Sequence, residues 1–233
     1  MINKSSIVLP TYNEKDNIAN LINEINNYTK NSEIILVDDD SPDLTWKIAQ
    51  DLNIKNVKVI RRTQNKGLAA SIYEGIANTT GEAIIWMDCD LSHPPSLIPK
   101  LLEALTEYDI AVASRYNYGG KDKRRFVRII TSYIFNLYAK IILGLKIKDT
   151  DSGFIAVKKE VFNKVNINPK GYGEYFIEFV YKCQKQGYKI AEVPFTMEDR
   201  NVGNSKTGES LFSLLKLGYK YCIKVIKIKF DKS

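Results

Sequence analysis

The chain is poor in the residues that staple small folds and close metal cages: its 233 residues include three cysteines and one histidine. Cys89, Cys183 and Cys222 are odd in number and far apart. The sequence therefore predicts reduced thiols rather than a disulfide framework, and it shows no Cys/His metal pattern. No run of about 18 consecutive apolar residues occurs, so no bilayer-spanning segment is predicted. The chain opens Met-Ile-Asn-Lys and reaches a strand-like run within a few residues, so no signal peptide is expected. Gly67, Gly75 and Gly81 lack the spacing of a dinucleotide fingerprint, and a Walker phosphate loop is missing. A nucleotide would then be gripped by metal and side chains, not by a glycine-rich loop. Internal repeats and low-complexity linkers are missing too, which leaves one domain long enough to bury a sizeable core.

What is present has globular proportions, with 44% hydrophobic and 26% charged residues. The net charge of +7 suits phosphate-rich or anionic-membrane partners. Basic residues cluster near apolar helices instead of interleaving with aromatics, so nucleic acid is not an expected partner. Up to about residue 115, predicted strands at 5–9, 33–37, 56–60, 82–87 and 109–113 alternate with helices at 15–29, 43–52, 67–78 and 95–107. That alternation implies βαβ units and a mostly parallel sheet. Further on come a basic stretch around 121–128, an apolar helix over 129–143, and strands at 153–158 and 188–195 flanking a helix over 174–186. A last helix is predicted over 208–229, where Lys216, Lys220, Lys224 and Lys227 form one basic stripe among apolar residues. Two readings fit it: a core helix with one wet face, or an interfacial helix lying on anionic lipid.

The chemistry concentrates where the predicted strands end. The run Ile84-Ile85-Trp86-Met87 stops at Asp88-Cys89-Asp90, followed by His93 and two prolines. Residues i and i+2 of extended backbone share a side, so Asp88 and Asp90 are predicted to converge on one hard cation. The carboxyl ends of strands are where open α/β sheets bind ligands. Mg²⁺ is commonly held by one or two carboxylates plus substrate phosphates, so the pair predicts a metal–diphosphate site. His93 is read as loop packing beside Pro94. Val37-Asp38-Asp39-Asp40-Ser41-Pro42-Asp43 gathers four acids that need cations or donors; a carboxylate there can accept from a base or ribose hydroxyl. Ser41 and Asp43 fit a helix cap equally well. Arg61, Arg62 and Lys66 follow the third strand, and Arg200 and Lys206 lie in a late polar loop as phosphate-binding candidates.

Taken together, Leu9-Pro10-Thr11-Tyr12-Asn13-Glu14, the Val37–Asp43 run, Asp88-Cys89-Asp90-Leu91-Ser92-His93-Pro94, Ser114-Arg115-Tyr116, Arg128 with Ser132, Ser152-Gly153-Phe154 and Arg200 through Lys206 resemble the family 2 glycosyltransferases. Within that family the likeness is to the dolichol-phosphate mannose synthase branch. The resemblance implies a GT-A fold: one Rossmann-like, mostly parallel sheet flanked by helices, with amphipathic interfacial helices and no transmembrane span. It implies a catalytic domain over 1–207, including an acceptor-side segment at 121–146, and a C-terminal basic helix over 208–233. The implied reaction moves mannose from GDP-mannose to a dolichyl or polyprenyl phosphate, with inversion and with Mg²⁺ or Mn²⁺; UDP-glucose or another nucleotide sugar is the alternative donor. Pro10, Tyr12, Glu14, Val37 and Asp39 would line the base and ribose pocket. Asp88, Asp90 and the Cys89 backbone would hold metal and diphosphate. Arg115, Arg200 and Lys206 would face phosphates, and Arg128 with Ser132 the acceptor. The implied location is the cytoplasmic side of a membrane (endoplasmic reticulum in a eukaryote, plasma membrane in a prokaryote), reached through an anionic surface or a small membrane partner subunit. Leu44 stands where the family usually has glycine, and Tyr175-Phe176 replaces a common Phe-Gln near the expected sugar pocket.

Overall fold

The short apolar runs of the first half become the central layer of the molecule. The computed structural model describes residues 2–171, 173–198 and 211–230, the side chains of 211–217, 219 and 220 excepted. Strands β1 (Ser5–Thr11), β2 (Ser32–Asp38), β3 (Val57–Arg61), β4 (Ala83–Trp86) and β5 (Ile110–Ser114) alternate with helices α1 (Ile18–Tyr28), α2 (Thr45–Asp51), α3 (Leu68–Ala77) and α4 (Ile98–Ala104). Then follow β6 (Lys121–Asp122), α5 (Phe126–Leu143), β7 (Ile155–Lys158), α6 (Glu174–Lys185), β8 (Ile190–Pro194), β9 (Thr196–Met197) and α7 (Leu211–Phe230).

Among the described residues, seven strands form one sheet in the order β3-β2-β1-β4-β7-β5-β8. All neighbours pair in parallel except β7, which runs antiparallel to both β4 and β5. The chain turns from β1 outward to β2 on one side and to β4 on the other, and such a reversal opens a crevice at the carboxyl ends of the strands. A small parallel pair, β6 with β9, was not predicted; two residues per strand leave no periodic signal.

Alternation along the strands splits the core into two layers. Ile7, Leu9, Ile34, Leu36 and Ile85 point to the face covered by α1 and α4. Val8, Ile35, Val37, Ile84, Trp86 and Val112 point to the face covered by α3, α5, α6 and α7. Burial on both faces is why these strands read as unbroken apolar runs. Helix α3 lies very close to the sheet because residue 75 is glycine: a Cβ there would fall 2.3 Å from Val8 Cγ1.

The last helix is no appendage. Val225 and Ile228 of α7 belong to the same buried layer as Trp86 and Phe179, and Lys224 Nζ pairs with Glu178 Oε2 on α6 at 3.1 Å. The expected lysine stripe is corrected at Lys224, which turns toward α6, while Lys227 is exposed; the Lys216 and Lys220 side chains lie outside the described residues. Helix α5 also qualifies the expectation of no spanning segment. By length and composition alone its 18 residues, of mean hydropathy 1.4, could cross a membrane.

Candidate active site

At the carboxyl ends of β1 and β2 the acids hold loops in place. Asp38 is buried; it accepts from Thr11 Oγ1 (2.9 Å) on one oxygen and from Ser41 N (2.7 Å) on the other. Asp39 lies against α3: Oδ1 accepts from Arg62 Nη1 (2.7 Å) and Ser71 Oγ (2.9 Å), and Oδ2 from Gly67 N (2.6 Å). Asp40 pairs with Arg61 and Lys66, and those hydrogen bonds hold its carboxyl below the usual range. Asp43, just before the Leu44 N-cap of α2, accepts from Thr45 N (3.0 Å) and Lys15 N (3.1 Å), so it braces the turn into α2 without being its cap. Glu14 is buried and accepts from Asn17 Nδ2 (3.0 Å), while Tyr12 is 44% exposed beyond β1. The Val37 side chain is fully buried against α3.

The Asp88/Asp90 geometry also differs from the expectation. β4 stops at Trp86, so neither acid is in extended strand, and Leu91 adopts a left-handed conformation (φ 64°) that folds the loop back. The pleat argument fails there because local hydrogen bonds take over. Asp90 Oδ1 accepts from Ser92 N (3.1 Å) and Ser92 Oγ (2.6 Å). Asp88 N donates to His93 Nδ1 (3.0 Å), and the buried imidazole stacks on Phe154 with centroids 5.1 Å apart. His93 is thus loop packing, as read. Cys89 Sγ lies 3.4 Å from Pro10 O and ties the ends of β1 and β4 together.

Asp88 opens onto a cavity of about 490 Å³ walled by Arg115, Arg124, Asp151, Glu174, Tyr175 and Tyr221 among others. Below it Arg115 is locked. Its Nε and Nη2 reach Asp149 at 2.8 and 2.7 Å, Nη2 also donates to Asp151 O, and Nη1 donates to Ser132 Oγ at 3.2 Å. Burial opposes its charge, but Asp149 outweighs burial and holds the guanidinium pKa above its ordinary value. The structure therefore joins the predicted Arg115 and Ser132, and Asp149 fixes the guanidinium at the wall of the cavity. Arg128 stands in the first turn of α5, four residues before Ser132. Arg200 and Lys206 lie outside the described residues.

The sequence reading missed Asp149, Asp151, Glu174 and Tyr221. One signal existed: Asp149-Thr150-Asp151 repeats the acid-x-acid spacing of Asp88 and Asp90. Burial pushes the Asp151 carboxyl up to about 7; Arg115 pulls it down, whereas Asp149 and Asp88 push it further up. A divalent cation fits this surplus of negative charge. Among the described residues no trio of His, Cys, Asp or Glu could hold a metal alone. The all-oxygen set suits Mg²⁺ or Mn²⁺ with substrate phosphates completing the shell.

The model of the glycosyl transferase family 2 matches residues 6–165, more than half of the chain. The chain belongs to that family. Its relatives include a dolichol-phosphate mannosyltransferase of Pyrococcus furiosus, 43% identical over 93% of this chain and 63% of the relative. A polyprenol monophosphomannose synthase of Mycolicibacterium smegmatis is 31% identical over 89% of this chain and 82% of the relative. The chain thus spans less than two thirds of the archaeal relative's length. Among solved structures it is similar to the Mycobacterium tuberculosis glucosyl-3-phosphoglycerate synthase in complex with Mn²⁺, UDP and glucosyl-3-phosphoglycerate. That likeness has a TM-score of 0.71 at 20% identity and covers 97% of this chain and 80% of the other. It supports the GT-A architecture of this family 2 member.

Proposed function

We propose that this glycosyltransferase moves mannose from GDP-mannose to a dolichyl or polyprenyl phosphate. The observation that carries the proposal is the pairing of an acid-lined cavity with an apolar helix beside it. Asp88, Asp151 and Glu174 face the cavity, and α5, which supplies Ser132, bears an exposed stripe of Phe126, Ile130, Tyr133, Ile134, Leu137 and Ile141. The names of the relatives agree with that substrate pair.

The acceptor's phosphate oxygen is ionised at neutral pH, so no general base is needed to make the nucleophile. What the chain must do is bring two anions together and orient them. Asp88 and Asp90 would hold Mg²⁺ or Mn²⁺ against the donor diphosphate, where the ion would supply charge neutralisation for the leaving group. Tyr12, Glu14 and Pro10 border the base side, and Asp39 braces that edge through α3. Arg128 and the Ser132 hydroxyl, held by Arg115, meet the acceptor phosphate. Glu174 and Asp151 offer acceptors to sugar hydroxyls. Displacement from the opposite face at the anomeric carbon inverts its configuration. The α5 stripe would lie on the anionic cytoplasmic surface of a membrane, where the lipid acceptor resides.

Turnover of labelled GDP-mannose and UDP-glucose with a polyprenyl phosphate, with and without Mn²⁺, tests this. Lipid-linked mannose formed only with metal is the expected product. Faster transfer from UDP-glucose would reassign the sugar.

A further inference from the structure

Among the described residues of α7, Tyr221 lines the cavity. Its ring is fixed by neighbours. Phe135 of α5 packs against it with centroids 5.3 Å apart. One turn earlier, residue 218 must be glycine for α5 to approach, since a Cβ there would lie 2.2 Å from Phe135 Cζ. One turn later, Lys224 is anchored on Glu178. Tyr138 Oη donates to Cys222 O at 3.3 Å, tying the same two helices beside the ring.

The hydroxyl itself is buried and meets no hydrogen-bond partner among the described residues. Thr150 is near enough to influence its titration, but the contact falls short of hydrogen-bond geometry, and Thr150 Oγ1 donates instead to Asn136 Oδ1 at 2.9 Å. Native proteins leave few buried hydroxyls orphaned, because the group has lost its water and gained nothing. We propose that Tyr221 Oη is a substrate-binding donor that hydrogen-bonds the phosphate of the lipid acceptor. This rests on the functional reading above.

Position selects the acceptor phosphate over the sugar. Tyr221 packs on Phe135, one turn along α5 from Ser132 and its Arg115 contact. The outer face of α5 carries the apolar stripe along which an isoprenoid tail would lie. Burial, with Asp151 adding to it, keeps the phenol pKa well above its ordinary value, so the group stays a neutral donor wherever the acceptor phosphate is ionised.

Tyr221→Phe removes the oxygen and keeps the ring packing. Steady-state kinetics with GDP-mannose and farnesyl phosphate in detergent, alongside thermal melting, provide the test. The expected result is an acceptor KM raised about tenfold, the loss of one hydrogen bond to a charged group. The GDP-mannose KM should stay unchanged and the melting temperature equal or higher. An unchanged acceptor KM would show a structural orphan, and a rise confined to the GDP-mannose KM would place the hydroxyl on the sugar; either overturns the inference. A wild-type protein that turns over no isoprenyl phosphate at all would overturn the functional reading, and this inference with it, so the wild-type arm separates the two failures.

Discussion

The β-rich first half and the α5–α7 pair use similar apolar residues to opposite ends. In β1, β2 and β4 nearly every Ile, Leu and Val is fully buried between helical layers. In α5 the buried residues are Asn136, Ala139 and Leu143, while Phe126 is 73% exposed and Ile141 68%. A hydrophobic pattern in the first region therefore encodes a core, and in the second a surface awaiting something apolar. The seam between them is polar: Arg115, at the end of β5, is tied to Asp149 and to Ser132 of α5.

The largest effect is expected at the seam. Arg115→Ala leaves Asp149 buried without its partner, and breaking such a pair costs about 3–5 kcal/mol. Denaturant unfolding should show that loss, and the double variant Arg115→Met/Asp149→Leu should recover part of it. If Arg115→Ala unfolds with the wild-type midpoint, the two regions are not joined through this pair.

On the catalytic side, Asp90→Asn should lower turnover by about 100-fold or more at saturating metal, the scale of losing charge stabilisation at a leaving group. The melting temperature should move little, because Ser92 keeps an oxygen to donate to. Near-normal turnover would remove the metal from this loop. Asp151 supplies a pH signature. Its folded-state pKa is raised from 3.8 to about 7, so the folded protein binds the extra proton and loses stability as pH climbs between those values. Asp151→Asn should flatten that decline and stabilise the metal-free protein by roughly 1–2 kcal/mol at pH 8, after discounting for solvent. Equal gains at pH 4 and pH 8 would refute the assignment.

On the helical side, Ile130→Ser with Ile134→Ser should weaken binding to anionic vesicles about tenfold, since each side chain leaves apolar surface. The melting temperature should hold, because both residues are already exposed. A drop in melting temperature without loss of vesicle binding would mean that this face is covered by protein.

How much could be read in advance follows the same contrast. The strands of the first half were legible because burial on both faces writes near-continuous apolar runs. The antiparallel insertion of β7 between β4 and β5 was not, because strand direction leaves no mark on a four-residue apolar segment. At the site, Asp88 and Asp90 were found, but their arrangement was not, since it depends on Ser92 and on the left-handed turn at Leu91. The bond between Arg115 and Asp149 was not legible either, because the two lie 34 residues apart. Tyr221 lies among the apolar residues around the lysine stripe of the last helix, where nothing in the sequence sets its hydroxyl apart.

The smallest predicted effect falls in the first region, where backbone strain, not burial, is at issue. Leu44 caps α2 at φ 64°, ψ 27°, a left-handed conformation, and its side chain is 48% exposed. For a residue with a Cβ this conformation costs roughly 1–2 kcal/mol, and glycine escapes it. Glycine also gives the unfolded chain more freedom, which takes back about 0.4–1 kcal/mol. Leu44→Gly should thus raise stability by about 0.5–1 kcal/mol, the margin left between the two terms. Because Asp43 on the preceding residue keeps both its bonds to Thr45 and Lys15, the loop beside the crevice should not shift and turnover should stay the same. Lower stability in Leu44→Gly, measured by urea unfolding with an unchanged m-value, would mean that the half-exposed Leu44 side chain contributes contacts worth more than its backbone strain costs.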